Sequence, residues 1–230
     1  MKRRWRTVLA ALVSVVGLLL VGDAVATLVW QEPVSALRAW HAQHQLSQQL
    51  DRQLASAHPT AADRRELAKL PDLSKRMAYA ARQLRAQTPE GDPLGRILLP
   101  SQDRRYVLVA GDSDADLRKG PGVYPSTVLP GEAGTTAVAG HRTTYLAPFR
   151  DINKLRRGDH IELQMPYGDF TYSVVGHKIV DPEDVHVVDG NGKARLVLTA
   201  CHPLYSAAER IVVFARLVRS EPNRQALSVT

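Results

Sequence analysis

The chain has one cysteine, Cys201, at the end of an apolar run rich in β-formers, and an arginine, Arg210, opens the next such run nine residues on. Leu196–Thr199 and Ile211–Phe214 are dominated by Val, Ile and Leu, whereas His202–Glu209 is polar and contains a proline. The pattern predicts two strands joined by a loop. If they pair antiparallel, the end of the first lies beside the start of the second, which brings Cys201 next to Arg210. A thiol attacks as thiolate and is favoured in that form by a neighbouring cation. Arg210 stays protonated, so it suits a developing oxyanion or a substrate carbonyl and not the work of a base. Simpler roles exist for both: a strand-end cysteine also serves as a small buried hydrophobe, and a strand-opening arginine as a surface residue.

An acid/base partner for the thiol has to come from the histidines. His141 follows Thr135–Gly140, a small apolar strand closing in glycine, and precedes polar Arg142-Thr143-Thr144. It is a strand-end histidine with room for close backbone approach. His202 adjoins the cysteine, but neighbours on extended chain point to opposite sides, so it is expected to face away from the thiol. His177 lies inside a strand and reads as structural. Thr199, two residues before the cysteine, shares its face.

The elements that must position these groups are short. Ile97–Leu99, Tyr106–Ala110, Thr135–Ala139, His160–Met165, Phe170–Val180, Leu196–Thr199 and Ile211–Val218 are β-rich and mostly separated by turn formers. Helical punctuation is limited to Asp114–Lys119 and Phe149–Leu155. This profile predicts a mostly β barrel or sandwich and not alternating βαβ units.

Ahead of it, residues 34–88 are rich in Ala, Gln, Arg and Leu, with leucines at 46, 50 and 54 in one helical row. Pro59 and Pro71 divide the stretch into short helices, the second opening at Thr60-Ala61-Ala62-Asp63. A weakly packed helical linker is the simplest reading and a regulatory arm its competitor. At the start, Lys2, Arg3, Arg4 and Arg6 precede an apolar run from Thr7 to Trp30 interrupted only by Asp23. As a helix this run reaches about 36 Å, enough to cross a bilayer core, with Trp5 and Trp30 at the two interfaces. The basic cluster predicts a cytoplasmic N-terminus and everything after the helix outside. Ala24-Val25-Ala26 also fits signal-peptide cleavage, and a retained anchor is preferred to it.

The formal net charge of +7 is concentrated in this first part, since residues 91–220 carry 16 basic and 15 acidic side chains. A near-neutral, aromatic-poor C-terminal region offers no nucleic-acid surface. One cysteine permits no internal disulfide, and no Cys/His cluster has zinc-site spacing. Asp181, Glu183 and Asp184 form an acidic loop whose simplest reading is a solvated turn, with calcium the alternative. No cofactor is implied. The expected organisation is a basic tail (1–6), a membrane-spanning segment (7–30), a helical linker outside the membrane (31–92), a catalytic barrel (93–220) and a C-terminal tail (221–230).

Thr136-Ala137-Val138-Ala139-Gly140-His141-Arg142, followed by Thr144-Tyr145 and Pro148-Phe149, resembles the segment carrying the catalytic histidine of sortases. Leu198-Thr199-Ala200-Cys201 with Arg210 resembles their Thr-Leu-x-Thr-Cys…Arg signature, Ala200 standing where threonine is usual. The resemblance covers roughly Gly95 to Val218. Cys201-x-Pro203, Tyr205-Ser206-Ala207 and Tyr145 are most similar to class E sortases of high-GC Gram-positive bacteria. It implies a sortase-type β-barrel of about eight strands with short helices, and a cysteine transpeptidase. Cys201 would attack the Thr–Gly carbonyl of a C-terminal sorting signal of the Leu-Pro/Ala-x-Thr-Gly type, giving a thioacyl enzyme. His141 would protonate the leaving amine and then deprotonate an incoming one, such as that of a lipid II-type peptidoglycan precursor. Arg210 would bind the motif backbone and the oxyanion. Tyr145, Thr199 and Ala200 are the implied substrate contacts, with Tyr145 tied to the alanine-containing motif. The partners implied are secreted proteins bearing sorting signals, the cell-wall amine and the membrane. Two other readings stay open: an exported cysteine peptidase or hydrolase, which lacks an evident Asn or Asp to orient His141, and a surface-tethered binding barrel for which Cys201 is incidental.

Overall fold

The computed structural model describes residues 2–29, 33–56, 58–190 and 192–229. The chain begins with helix α1 (Lys2–Val29), in which Arg4–Val25 is long and apolar enough to cross a membrane. Its described apolar side chains are open to the surroundings, Leu18 being 72% exposed, and so is Trp5, while Trp30 lies outside the described residues. Three further helices follow: α2 (Pro33–Ser56), α3 (Ala61–Ala68) and α4 (Leu73–Gln87). Thr60 opens α3 with a capping box, its hydroxyl accepting from the Asp63 N–H and the Asp63 carboxylate from the Thr60 N–H, both at 3.1 Å.

Strands β1 (Pro93–Leu99) and β2 (Arg104–Ala110), a one-turn helix α5 (Asp114–Leu117), then β3 (Gly122–Val123), β4 (Thr135–Ala139), β5 (His160–Met165), β6 (Gly168–Val180), β7 (Arg195–His202) and β8 (Glu209–Pro222) complete the chain. They close into a barrel in the order β1-β2-β3-β4-β7-β8-β6-β5, with β2–β3 and β4–β7 parallel and the other pairs antiparallel. All seven expected strands are present. β3 escapes a sequence reading because two residues carry no periodicity. The helix expected over Phe149–Leu155 is reduced to a single 3₁₀ turn, Ile152–Lys154, because the carbonyl of Arg150 is taken by the buried guanidinium of Arg142 instead of a helical N–H.

The interior is filled from every strand, with Ile97, Leu108, Val138, Ile161, Phe170, Tyr172, Leu198 and Ile211 at most 1% exposed. Along β7 the side chains alternate: Leu196, Leu198 and Ala200 join this core, while Val197 lies in a second apolar cluster outside the barrel with Ala137, Val180 and Val212. Tyr124, Val187, Val188 and Phe214 pack over that outer cluster.

The expectation of weak packing for the helical stretch does not hold. Leu46 and Leu50 of α2 are buried against Val107 and Val109 of β2, each burial contributing roughly 1.5–3 kcal/mol. Between them and the helix start, the Gln43 amide does the work of a missing strand. β3 is too short to reach Val107, so the Val107 N–H donates to Gln43 Oε1 at 2.7 Å and Gln43 Nε2 donates back to the Val107 carbonyl at 3.1 Å. Nε2 also reaches the Lys119 carbonyl at 2.8 Å. Arg96 of β1 meets Asp51 of α2 at 2.6 Å. Leu67, Met77 and Ala81 of α3 and α4 belong to the main core, as does Leu227 beyond the last strand.

Candidate active site

Strand register assembles the site. β4 and β7 run parallel with Ala139 opposite Thr199, and the ladder extends one step as the Gly140 N–H donates to the Thr199 carbonyl at 3.1 Å. Carrying the same offset forward sets His141 abreast of Cys201. On the other side β8 pairs antiparallel with β7, and Cys201 lies opposite Arg210. Paired residues point to the same face, and this one is the outer face of the barrel, shared with Val197 and Ala137. Strand spacing then places the imidazole-bearing and guanidinium-bearing backbones on either side of the cysteine, each about 5 Å away. Cys201 is a free thiol of intermediate exposure.

Gly140 is required by packing. A Cβ there would come within 2.5 Å of the Phe149 ring, which is fully buried and whose N–H returns to the His141 carbonyl at 3.0 Å. Among the described residues, His141 Nε2 is buried with no hydrogen-bond partner. Its ring lies 5.2 Å from that of Tyr145 between centroids, and Arg118 of the adjoining turn sits 5.8 Å over the Tyr145 ring. Asp114, whose charge acts on His141, is engaged with Arg118. Burial lowers the His141 pKa from its ordinary 6.5, with Asp114 working against the shift and Arg118 with it.

This has a stability consequence. The folded chain holds fewer protons than the unfolded one below pH 6.5, so the contribution of neutral His141 is intact above that value. It is lost as pH falls through the lower folded value. Denaturant titration at pH 7.5 and pH 5.5 is expected to show a larger loss for wild type than for His141→Gln. Equal losses would contradict a desolvated imidazole.

Arg210 is held by its own hairpin, Nη1 donating to the Ala207 and Glu209 carbonyls at 3.0 Å each. Thr199 is 5% exposed and its Oγ1 lies 2.8 Å from the Tyr124 hydroxyl. Tyr124 follows β3, and burial, the largest influence, raises its pKa, with the charges of Asp112, Arg210 and Cys201 also bearing on it. Ala200, expected as a substrate contact, is 4% exposed with its side chain in the barrel core, so the face it presents is inward. His202 turns to Arg142, as does the Cys201 carbonyl, and His177 lies exposed within β6 opposite Val213.

Three contributors were not assigned roles from sequence. Tyr124 follows a strand too short to read, and Ser35, 4% exposed, accepts a hydrogen bond at 3.2 Å from the Tyr145 N–H across a separation no local pattern reports. Arg142 stands next to His141 in the motif. It is 4% exposed and donates to four groups: the Cys201 carbonyl at 3.3 Å, His202 Nδ1 at 3.1 Å, the Arg150 carbonyl at 3.1 Å and Asn153 Oδ1 at 2.9 Å. Arginine only donates, so Nδ1 of His202 is the accepting nitrogen. Among the described residues no group of three His, Cys, Asp or Glu side chains gathers to hold a metal ion.

The sortase domain profile matches residues 97–218, over half of the chain. Sortase D of Bacillus subtilis is 33% identical over 132 residues, which are 56% of this chain and 65% of that protein. Sortase E1 of Streptomyces coelicolor is 33% identical over 106 residues, 42% of this chain and 30% of that one. The chain thus spans less than two thirds of the curated relatives it matches. Among solved structures, sortase E from Streptomyces avermitilis superposes with a TM-score of 0.54 at 32% identity, covering 61% of this chain and 99% of that one. A Clostridium perfringens sortase C, solved with the C-terminal cell wall sorting motif, gives 0.56 at 27% identity over 67% and 95%. The chain belongs to the sortase family. Class E members are among its relatives, beside sortases of other classes.

Proposed function

We propose that this chain is a membrane-anchored cysteine transpeptidase that cleaves a C-terminal sorting signal between Thr and Gly and joins the acyl part to an amine. The reading is supported by strand register: Cys201 lies opposite Arg210 in the β7–β8 ladder, and the β4–β7 offset, continued two residues past Ala139, brings His141 to its other side. The Cys201 thiolate adds to the Thr carbonyl, the Arg210 guanidinium binds the resulting oxyanion, and the tetrahedral intermediate collapses as His141 gives its proton to the departing glycine amine. The thioester that remains is attacked by a second amine, whose proton returns to His141. Because burial favours the neutral imidazole, the species holding both thiolate and imidazolium is a minor one near neutral pH, which makes turnover slow. Tyr145 and Thr199 border this row and are assigned to the motif; Ala200 acts through backbone and packing.

Incubating the chain with a Leu-Ala-x-Thr-Gly peptide and triglycine should give the joined product and, on omission of the amine, a thioacyl adduct by mass spectrometry. Hydrolysis that is indifferent to added amine would favour a peptidase. Arg210→Lys keeps the charge and loses the planar fork, and is expected to lower kcat/KM by ~10²-fold. Near-normal turnover would rule out the oxyanion role. Within this reading the apolar α1 is retained as a single-pass anchor, its basic end cytoplasmic and the barrel on the outer face, where exported sorting-signal proteins and a lipid II-type cell-wall amine meet it.

A further inference from the structure

Helix α2 has two different faces. Ser35, Ala39, Gln43, Leu46 and Leu50 look to the barrel. Off that face Val34, Leu37 and Trp40 recur three apart and are 54%, 59% and 53% exposed, Trp40 also edging the cleft between α2 and β2. Past Trp40 the line runs into His44, Ser47 and Asp51, which border that cleft against Arg96, Arg105 and Tyr106 of β1 and β2, so its apolar part is confined to the first two turns. Isolated exposed apolar residues are ordinary, but three in one line, beginning five residues after the membrane-length helix ends at Val29, face something other than water.

Resting on the membrane-anchored reading, we propose that Val34, Leu37 and Trp40 seat the first two turns of α2 in the lipid headgroup region of the membrane crossed by α1. Tryptophan favours that depth, and exposed Arg38 beside the stripe is suited to lipid phosphates. The inner face of the same two turns holds the catalytic loop. Ser35 Oγ accepts from the Tyr145 N–H, which begins three consecutive left-handed residues, Tyr145, Leu146 and Ala147, with φ of 51°, 66° and 43°. Holding that conformation without glycine needs outside support. Only one helix diameter, about 10 Å, separates the lipid-facing stripe from this loop, and the Tyr145 ring adjoins His141. The His141 side of the site is therefore held at the bilayer surface, where the acceptor it serves is an amine borne on a lipid headgroup.

The test uses the full chain in phosphatidylcholine/phosphatidylglycerol vesicles. With Trp5→Phe and Trp30→Phe, Trp40 is the only tryptophan left, and its emission should be quenched by lipids brominated near the headgroup. Joining of the peptide to triglycine coupled to phosphatidylethanolamine should exceed joining to soluble triglycinamide by about tenfold or more, as local concentration dictates. Val34→Ser, Leu37→Ser and Trp40→Ser together should lower that preference several-fold, to what anchoring by α1 alone provides, while leaving the soluble reaction and vesicle flotation intact. A chain that fails to float sinks the anchor and this proposal with it. Flotation with unquenched Trp40 or an undiminished lipid preference in the triple variant overturns the seating alone. So does emission that follows protein concentration and not lipid bromination, which would assign the stripe to a second copy.

Discussion

Cys201→Ala is expected to reduce peptide joining to background, a loss on the order of 10⁴-fold or more, while leaving the fold intact. No second cysteine exists to substitute for it, and the remaining members of the row, an imidazole and a guanidinium, have no bond to make with the acyl group. The side chain is partly open and points away from the barrel core, so its truncation leaves no internal cavity. Thermal stability should change by no more than ~0.5 kcal/mol, as for surface substitutions outside special features. Wild-type rates in the variant would end the transpeptidase reading. Loss of joining together with collapse of the thermal transition would instead make the cysteine structural.

Arg142→Met should lower kcat/KM by ~10²-fold through geometry, although the side chain is placed here as a positioning group that touches no substrate. Its guanidinium links the turn after His141 to the end of β7 and to the Arg150–Asn153 segment, so one side chain fixes the spacing between imidazole and thiol. Methionine fills comparable volume and donates nothing. The carbonyls of Cys201 and Arg150 then lose a donor, at about 1–3 kcal/mol each where water cannot replace it. The unfolding midpoint in urea should fall accordingly. A purely structural role would lower stability and leave the per-molecule rate at low temperature unchanged. A positioning role lowers kcat for chains that remain fully folded, with KM for the peptide little affected, and Arg142→Lys should recover only part of it. Normal kcat in folded Arg142→Met would refute the assignment.

The site was more legible than its supports. Cys201 and His141 stand at the close of short runs of β-formers and Arg210 at the opening of another, and such limits announce themselves through the Gly, Pro and polar residues beside them. What no local pattern carries is the pairing that brings β4 beside β7, because register between distant strands is decided by barrel closure. The packing of the helical stretch is hidden from the sequence for a related reason. Gln43 looks like a solvent-facing residue in a Gln-rich helix, and only the shortness of β3 gives its amide a backbone to complete. Likewise Ala200 sits in the signature next to Cys201, yet the two-residue period of a strand turns it inward. The outer stripe of α2 is visible in sequence as apolar spacing, but which side of the helix was already occupied is a fact of the fold.

The parallel pairing of β4 with β7 also bears on when the proposed site is assembled. His141 and Cys201 are sixty positions apart, with β5 and β6 between them in the chain, while β7 lies directly beside β4 in the barrel. Contacts of such separation form late, since loop closure has to precede any reward from the pairing. While still extended, the polypeptide therefore carries a thiol with neither His141 nor Arg210 beside it. For the proposed transpeptidase, the three groups come together only once the last strands are in place.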